Sequence, residues 1–164
     1  MKLIKPTNEY EQQIRVYRQE FLDSGDSMDG TNHLGHYEKP SDWITYIASK
    51  EDLQYIYVRE ADDKIVGMIQ IRRISNPYLE KFGGHIGYSV APSKRRKGYA
   101  TQMLRTALPK CSGLGLDKVL ISCIKGNEGS RKTILNNGGE YESTIYDSEI
   151  EWTDVERYWI HLVD

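Results

Sequence analysis

Cysteine is scarce in this chain. Only Cys111 and Cys123 occur among 164 residues, with no CxxC pair and no zinc-type spacing, so no metal site is expected. Their scarcity suits a reducing, cytoplasmic setting. Long apolar runs are missing too. No stretch approaches the roughly 20 apolar residues that span a membrane, and the opening "MKLIKPTNEYEQQI" has no apolar core of a signal peptide. Nor does one sign of charge dominate. Lys and Arg number 22 against 24 Asp and Glu, a net charge of -2, which argues against a nucleic-acid binder. No repeat or low-complexity linker interrupts the sequence. The expectation is one soluble domain over residues 1–164, large enough to bury a core.

What is there has clear periods. After a short strand candidate, "LIKP", residues Tyr10, Ile14, Tyr17 and Phe21 recur at helical spacing, with Thr7 or Asn8 placed to cap that helix. The next stretch, "DSGDSMDGTNHLGHYEKP", is polar, glycine-rich and long for a loop, which points to a functional segment. "SDWITYIASKED" reads as a second helix capped by Ser41. The period then changes to two: "LQYIYVREA" and "KIVGMIQIRRI" flank the turn "DDK" as a hairpin. "GHIGYSVAP" is a further strand, ended by Pro92. Ala100, Met103, Leu104, Ala107 and Leu108 give one apolar face to the following helix, which Pro109 should kink or end. "DKVLISCI" is a continuous apolar run typical of a buried central strand. "GSRKTILNNGG" is a short helix with a Gly-Gly stop, and two closing strands complete the chain. The order β, α, α, β, β, β, α, β, α, β, β predicts a mixed α/β fold.

The chemistry concentrates in "PSKRRKGYATQML". Four cations, Lys94 to Lys97, run into Gly98 between a strand and a helix. A helix N-terminus offers unpaired N–H groups and a partial positive charge, so it draws anions. Gly98 lets backbone approach a bulky phosphate, and Arg95, Arg96 and Lys97 add charge-assisted contacts. Neither GxxxxGK[ST] nor GxGxxG is present. A solvated basic turn is the other reading of the same residues.

Arg95-x-x-Gly98-x-Ala100 matches the [QR]-x-x-G-x-[GA] signature of the GNAT superfamily, the Gcn5-related N-acetyltransferases. The whole of "GYSVAPSKRRKGYATQML" resembles that family's segment from its fourth strand into the next helix. "VLISCIKGNEGSRKTILNNGG" is similar to the segment after it. The likeness covers residues 84–140 and is of a bacterial type. It implies a mostly antiparallel sheet of six to seven strands with about four helices. It also implies acetyl-CoA as acetyl donor, no metal, and a small-molecule or peptide amine as acceptor; a homodimer is compatible with it. By the resemblance, Arg95, Arg96, Lys97, Gly98, Tyr99, Ala100 and Thr101 would bind the pyrophosphate. Val90 would pair by its main chain with the pantetheine arm, in a splay between its strand and that of Ile121 to Ile124. Asn127 and Ser130 would contact the same arm, although Asn127 also reads as a helix cap.

One position departs from the family. The tyrosine that often protonates the leaving thiolate falls on Ile134 here; Tyr141, Tyr146 or Tyr88 are the candidate substitutes, Tyr141 foremost. His85 is the candidate base or water-positioner, by its intrinsic pKa, against the usual structural fate of a strand histidine. Asp26 and Asp29, with Asp23, would favour a cationic amine and the segment around them would close over it, or they form a solvated acidic loop. Trp43, Tyr46, Tyr146 and Trp152 would line an aromatic wall or belong to the core. Rival readings are a different acyl-CoA or acceptor, and a non-catalytic CoA-binding module.

Overall fold

Helical spacing places Ile14, Tyr17 and Phe21 on one face of the first helix, and all three are buried. The computed structural model describes residues 1–163 and follows the element order expected from the sequence. The elements are β1 (Lys2–Ile4), α1 (Glu11–Ser24), α2 (Pro40–Ala48), β2 (Leu53–Arg59), β3 (Lys64–Ile71), β4 (Ile86–Val90), α3 (Tyr99–Ser112), β5 (Lys118–Ile124), α4 (Glu128–Leu135), β6 (Glu140–Asp147) and β7 (Thr153–His161). Every pairing is antiparallel.

The strands form two hydrogen-bonded sheets rather than one. The first has the order β1-β2-β3-β4 and the second β5-β7-β6. They meet at one seam. The His85 N–H donates to the Leu120 carbonyl at 2.8 Å, and the Leu120 N–H donates to His85 Nδ1 at 2.9 Å. Beyond it, β4 and β5 lie side by side as the facing edges of different sheets. That split is what the family resemblance implies.

Alternation along the strands builds two cores. Ile56, Val58, Ile65 and Met68 face α1 and α2, together with Tyr17, Phe21, Leu34 and Trp43. Tyr57, Val66, Ile69 and Val90 face the other way, toward Met103, Leu104 and Ala107 of α3 and Ile134 of α4.

Three local expectations are corrected. Pro40, not Ser41, opens α2: Lys39 is the N-cap, and a proline at the first helical position loses only an N–H that has no partner there. The first helix has no side-chain cap from Thr7; Asn8–Tyr10 form a 3₁₀ turn that leads into it. Pro109 does not end α3, which continues to Ser112 with the Gly113 N–H bonded to the Pro109 carbonyl at 3.2 Å. A proline one turn from the end removes one bond, and buried Ala107 and Cys111 hold that turn to the core.

The polar stretch after α1 is not loose. Leu34 is fully buried, the Trp43 indole N–H donates to the Thr31 carbonyl at 2.8 Å, and Gln54 Nε2 donates to the Gly30 carbonyl at 2.8 Å. Those contacts pin residues 30, 31 and 34. Between β3 and β4 the chain makes a wide turn, Leu79–Gly83, clasped by the Arg72 guanidinium on the carbonyls of Gly83 and Gly84 at 2.7 and 2.9 Å.

Candidate active site

The split between β4 and β5 exposes unpaired main chain. Ala91 N–H bonds to the Val66 carbonyl, and Arg72 N–H bonds to the His85 carbonyl, so the odd-numbered residues of β4 point their polar groups at β3. Alternation then turns the N–H and C=O of Tyr88 and the N–H of Val90 toward the split, while the Val90 carbonyl accepts from Arg95 Nε at 3.2 Å. A chain with amide groups of its own, lying in the split, would find partners there.

At the end of β4 stands the N-terminus of α3. Gly98 is its N-cap at φ +79°, and no side chain caps the helix, so the first-turn N–H groups of Tyr99, Ala100 and Thr101 have no intrahelical acceptor. A Cβ added at Gly98 would meet nothing within 4 Å, which leaves room for a bulky anion. Arg96 and Lys97 are exposed beside it. These residues fit a pyrophosphate by donors, charge and space. The other members of the loop have structural partners. Tyr99 accepts a hydrogen bond from Arg59 at 2.9 Å. Arg95 donates from Nε to the Val90 carbonyl and from Nη1 to Asp26 at 2.6 Å, with its guanidinium 5.6 Å from the centre of the Phe21 ring. Arg95 therefore braces the loop against β4 and α1.

That brace alters the reading of the acidic segment. Asp26 is spent on Arg95, and Asp23 accepts from Gln19, one helical turn away, at 2.8 Å. Asp29 accepts from the Ser27 hydroxyl at 2.9 Å and stands next to the residue that touches β4. Its neighbour Gly30 presses so closely that a Cβ there would lie 2.4 Å from the Gly87 carbonyl oxygen and 2.5 Å from the Tyr88 Cα. The turn between β6 and β7 brings Glu151 to the same region. Partial burial, then the charges of Asp29 and Asp147, raise the Glu151 carboxyl above its ordinary range. Nothing in the sequence marked Glu151, because its partner carboxylate lies more than a hundred residues away.

His85 forms the seam. Its Nδ1 accepts from Leu120, which leaves the neutral ring's proton on Nε2, and burial followed by the nearby Arg72 charge lowers its pKa. The lone pair a base would use is taken. Tyr141 lies on β6 at the register of Tyr158 and Ile121, two strands and about 10 Å from β5. It is exposed, and its hydroxyl pairs with Thr144 at 2.7 Å. That placement takes it away from the split. Ile134 is fully buried in the core. Asn127 caps α4, its side chain accepting from the Ser130 N–H at 3.2 Å. Tyr88 and Ser130, which the sequence does not connect, meet: Tyr88 Oη is 2.8 Å from Ser130 Oγ. Among the aromatic residues, Trp43 is core and Tyr46 packs on Tyr37 at 5.3 Å, whereas Tyr146 and Trp152 are exposed on the last hairpin.

No group of three potential metal ligands exists among the described residues, and no helix among them is long and apolar enough to cross a membrane. No curated protein matches the sequence. Among solved structures, a ribosomal-protein-S5-alanine acetyltransferase from Vibrio fischeri superposes with a TM-score of 0.77 at 16% identity, over 99% of this chain and 93% of that one. A variant of spermidine N-acetyltransferase SpeG from Vibrio cholerae gives 0.70 at 16%, over 98% and 95%. The microcin C7 self-immunity acetyltransferase MccE, solved with acetyl-CoA and AMP, gives 0.73 at 20%, over 98% and 91%. These likenesses establish the fold. The family model for the acetyltransferase (GNAT) family matches residues 14–137, three quarters of the chain, including the split and the glycine loop. The chain therefore belongs to the GNAT family of acetyltransferases, enzymes that draw their acetyl group from acetyl-CoA.

Proposed function

We propose that this enzyme acetylates a positively charged primary amine: a small polyamine-like molecule, an exposed protein N-terminus or a lysine. The observation that carries the reading is the placement of Asp29 next to Gly30, which touches the middle of β4, with Glu151 nearby. An amine arrives protonated, and two carboxylates beside the split would hold it there. Solved relatives of the same fold act on a ribosomal protein and on spermidine.

The chain's own residues divide the work. The first turn of α3, with Arg96 and Lys97, holds the pyrophosphate; the open edge of β4 holds the arm. Acetyl-CoA, when bound, supplies an already activated acetyl group, so catalysis is mainly positioning. Glu151 takes the ammonium proton: a carboxylate whose affinity for protons is raised is better matched to that task than an ordinary one. The Val90 N–H, directed into the split, faces the charge that develops on the carbonyl oxygen. His85 bonds the facing edges of the two sheets.

The test is thiol release from acetyl-CoA over a panel of spermidine, peptides with free N-terminal alanine, lysine peptides and neutral aryl amines. The cations are expected to be preferred. Asp29→Asn and Glu151→Gln should each raise the amine KM by about 10-fold, the equivalent of one lost charge contact, and Glu151→Gln should also lower kcat by about 100-fold, with CoA affinity unchanged by calorimetry. Turnover of neutral amines only, or KM values unmoved in both variants, would overturn the assignment.

A further inference from the structure

Arg72 carries a charge without a counter-charge. It continues β3, its N–H bonded to the His85 carbonyl, and by alternation from Met68 its side chain shares the face of α1 and α2 with Gln70. Nε and Nη2 donate to the carbonyls of Gly84 and Gly83 at 2.9 and 2.7 Å. Nη1 reaches Gln70 Oε1 only at 3.4 Å, and Gln70 is itself fixed by donating to Asp52 at 2.8 Å. A guanidinium has five N–H donors. These contacts use three, so one N–H on Nη1 and one on Nη2, the end of the fork, have no acceptor among the described residues. No carboxylate among those residues comes within ion-pairing distance of Arg72. Burial lowers its pKa, and the more distant Asp52, Asp29 and Tyr78 do not offset that effect. Clasping two carbonyls needs donors but no charge; the turn does not account for the positive charge.

That charge stands at the acceptor site. A Cβ added at Gly87 would lie 3.3 Å from Arg72 Nη1 and 3.3 Å from the Gly30 nitrogen. Gly87 precedes Tyr88, whose main chain faces the split, and Gly30 follows Asp29. Gln54, opposite Gln70 in the β2–β3 register, has a buried carbonyl oxygen without a partner, so this floor lacks partners of both kinds. We propose that Arg72 binds the carboxylate of a free α-amino acid whose amine is the group acetylated. The inference rests on Asp29 and Glu151 as the partners of the ammonium and names what stands beside that ammonium. In an α-amino acid the nitrogen and the carboxyl carbon are about 2.5 Å apart, so one small molecule meets both signs of charge. Its carboxylate accepts two parallel N–H bonds from the end of the fork. A peptide N-terminus has a neutral carbonyl at that place and leaves the charge uncompensated. A polyamine has a second cation, which Arg72 repels.

The test measures kcat/KM for thiol release from acetyl-CoA with each common α-amino acid, its carboxamide and its decarboxylated amine. The amide's amine is less basic than the acid's and the decarboxylated amine is more basic, so basicity does not favour the acid over both. At least one amino acid should exceed both of its controls by about 10-fold or more, the equivalent of one charge-assisted contact. In Arg72→Gln, which keeps a donor for the turn, that ratio should fall to about one through the KM of the acid, with CoA affinity unchanged by calorimetry. An Arg72 that only clasps the turn would lower acid and amide alike and leave the ratio where it was. Equal kcat/KM for acid, amide and amine throughout the panel, or a parent-like ratio in Arg72→Gln, would overturn the proposal; acetylation of spermidine or peptide N-termini in that case would leave the reading of Asp29 and Glu151 intact. Failure to acetylate any amine would overturn both. The comparison of substrates is made on the parent, so the result does not depend on Arg72→Gln folding.

Discussion

Gly98 holds φ at +79°, where a side chain costs about 1–2 kcal/mol, yet the space beside it is empty to 4 Å. Backbone strain and lost phosphate volume are therefore separable at one residue. Gly98→Ala is expected to lower stability by about that 1–2 kcal/mol and to weaken CoA only slightly, because a single methyl meets nothing. Gly98→Val should carry the same strain and block the anion as well. Thermal melts and calorimetric titration with CoA distinguish the two: equal affinities for Ala and Val would remove the phosphate from this corner. At this scale the glycine loop was legible, since its cations, glycine and helix start are consecutive. The engagement of Arg95 with Asp26 was not, because those two residues are close only after α1 and β4 have packed.

Asp147 organises the last hairpin. It is fully buried and accepts from the N–H groups of Glu149, Ile150 and Glu151 and from the Tyr78 hydroxyl at 2.7 Å. Burial alone would raise its pKa; the hydrogen bonds from Tyr78 and the three N–H groups outweigh burial and lower it. A carboxylate with a depressed folded-state pKa contributes stability above its unfolded value near 3.9 and loses it as pH falls through the folded value. Asp147→Asn should thus lower Tm at neutral pH, and the gap to the parent should narrow below about pH 4. A gap that does not change with pH would show that shape, not charge, is what the turn requires. Because Glu151 lies in this turn, the variant is also expected to raise the amine KM while sparing CoA. The β6–β7 strands were readable from their alternation. The wide turn at Leu79–Gly83 was not: Asn76 caps its start, accepting from the Leu79 N–H at 2.9 Å, but the Arg72 and Asp147 contacts that hold it come from outside the turn.

Across the whole molecule, His85 bonds the facing edges of two sheets that also share a core. His85→Ala would leave the Leu120 N–H buried without an acceptor, a cost of about 1–3 kcal/mol. His85→Asn places an amide oxygen near the position of Nδ1 and should recover most of it. Burial, then Arg72, lowers the His85 pKa below its unfolded value near 6.5, so stability is intact above that pH and declines as pH falls below it. His85→Asn should remove that part of the pH dependence, as read by Tm between pH 7 and pH 5. A parent-like melt for His85→Ala, together with a lost acidic limb in the rate profile, would return His85 to the role of base.

The sequence by itself determined what is local. Helical and two-residue periods set the eleven elements in order, and the consecutive pattern Arg95-x-x-Gly98-x-Ala100 at a strand-to-helix junction identified the family segment. These signals survive in one dimension because each depends on residues within a few positions of one another. Only the tertiary structure decided what depends on distant partners. It split the sheet at His85 and Leu120, spent Asp26 on Arg95, took Tyr141 away from β5, and brought Asp29 near Glu151 and Tyr88 to Ser130. The physical reason is reach. A side-chain contact acts over a few ångströms, and only packing of helices on both faces of the sheets fixes which distant residues come that close.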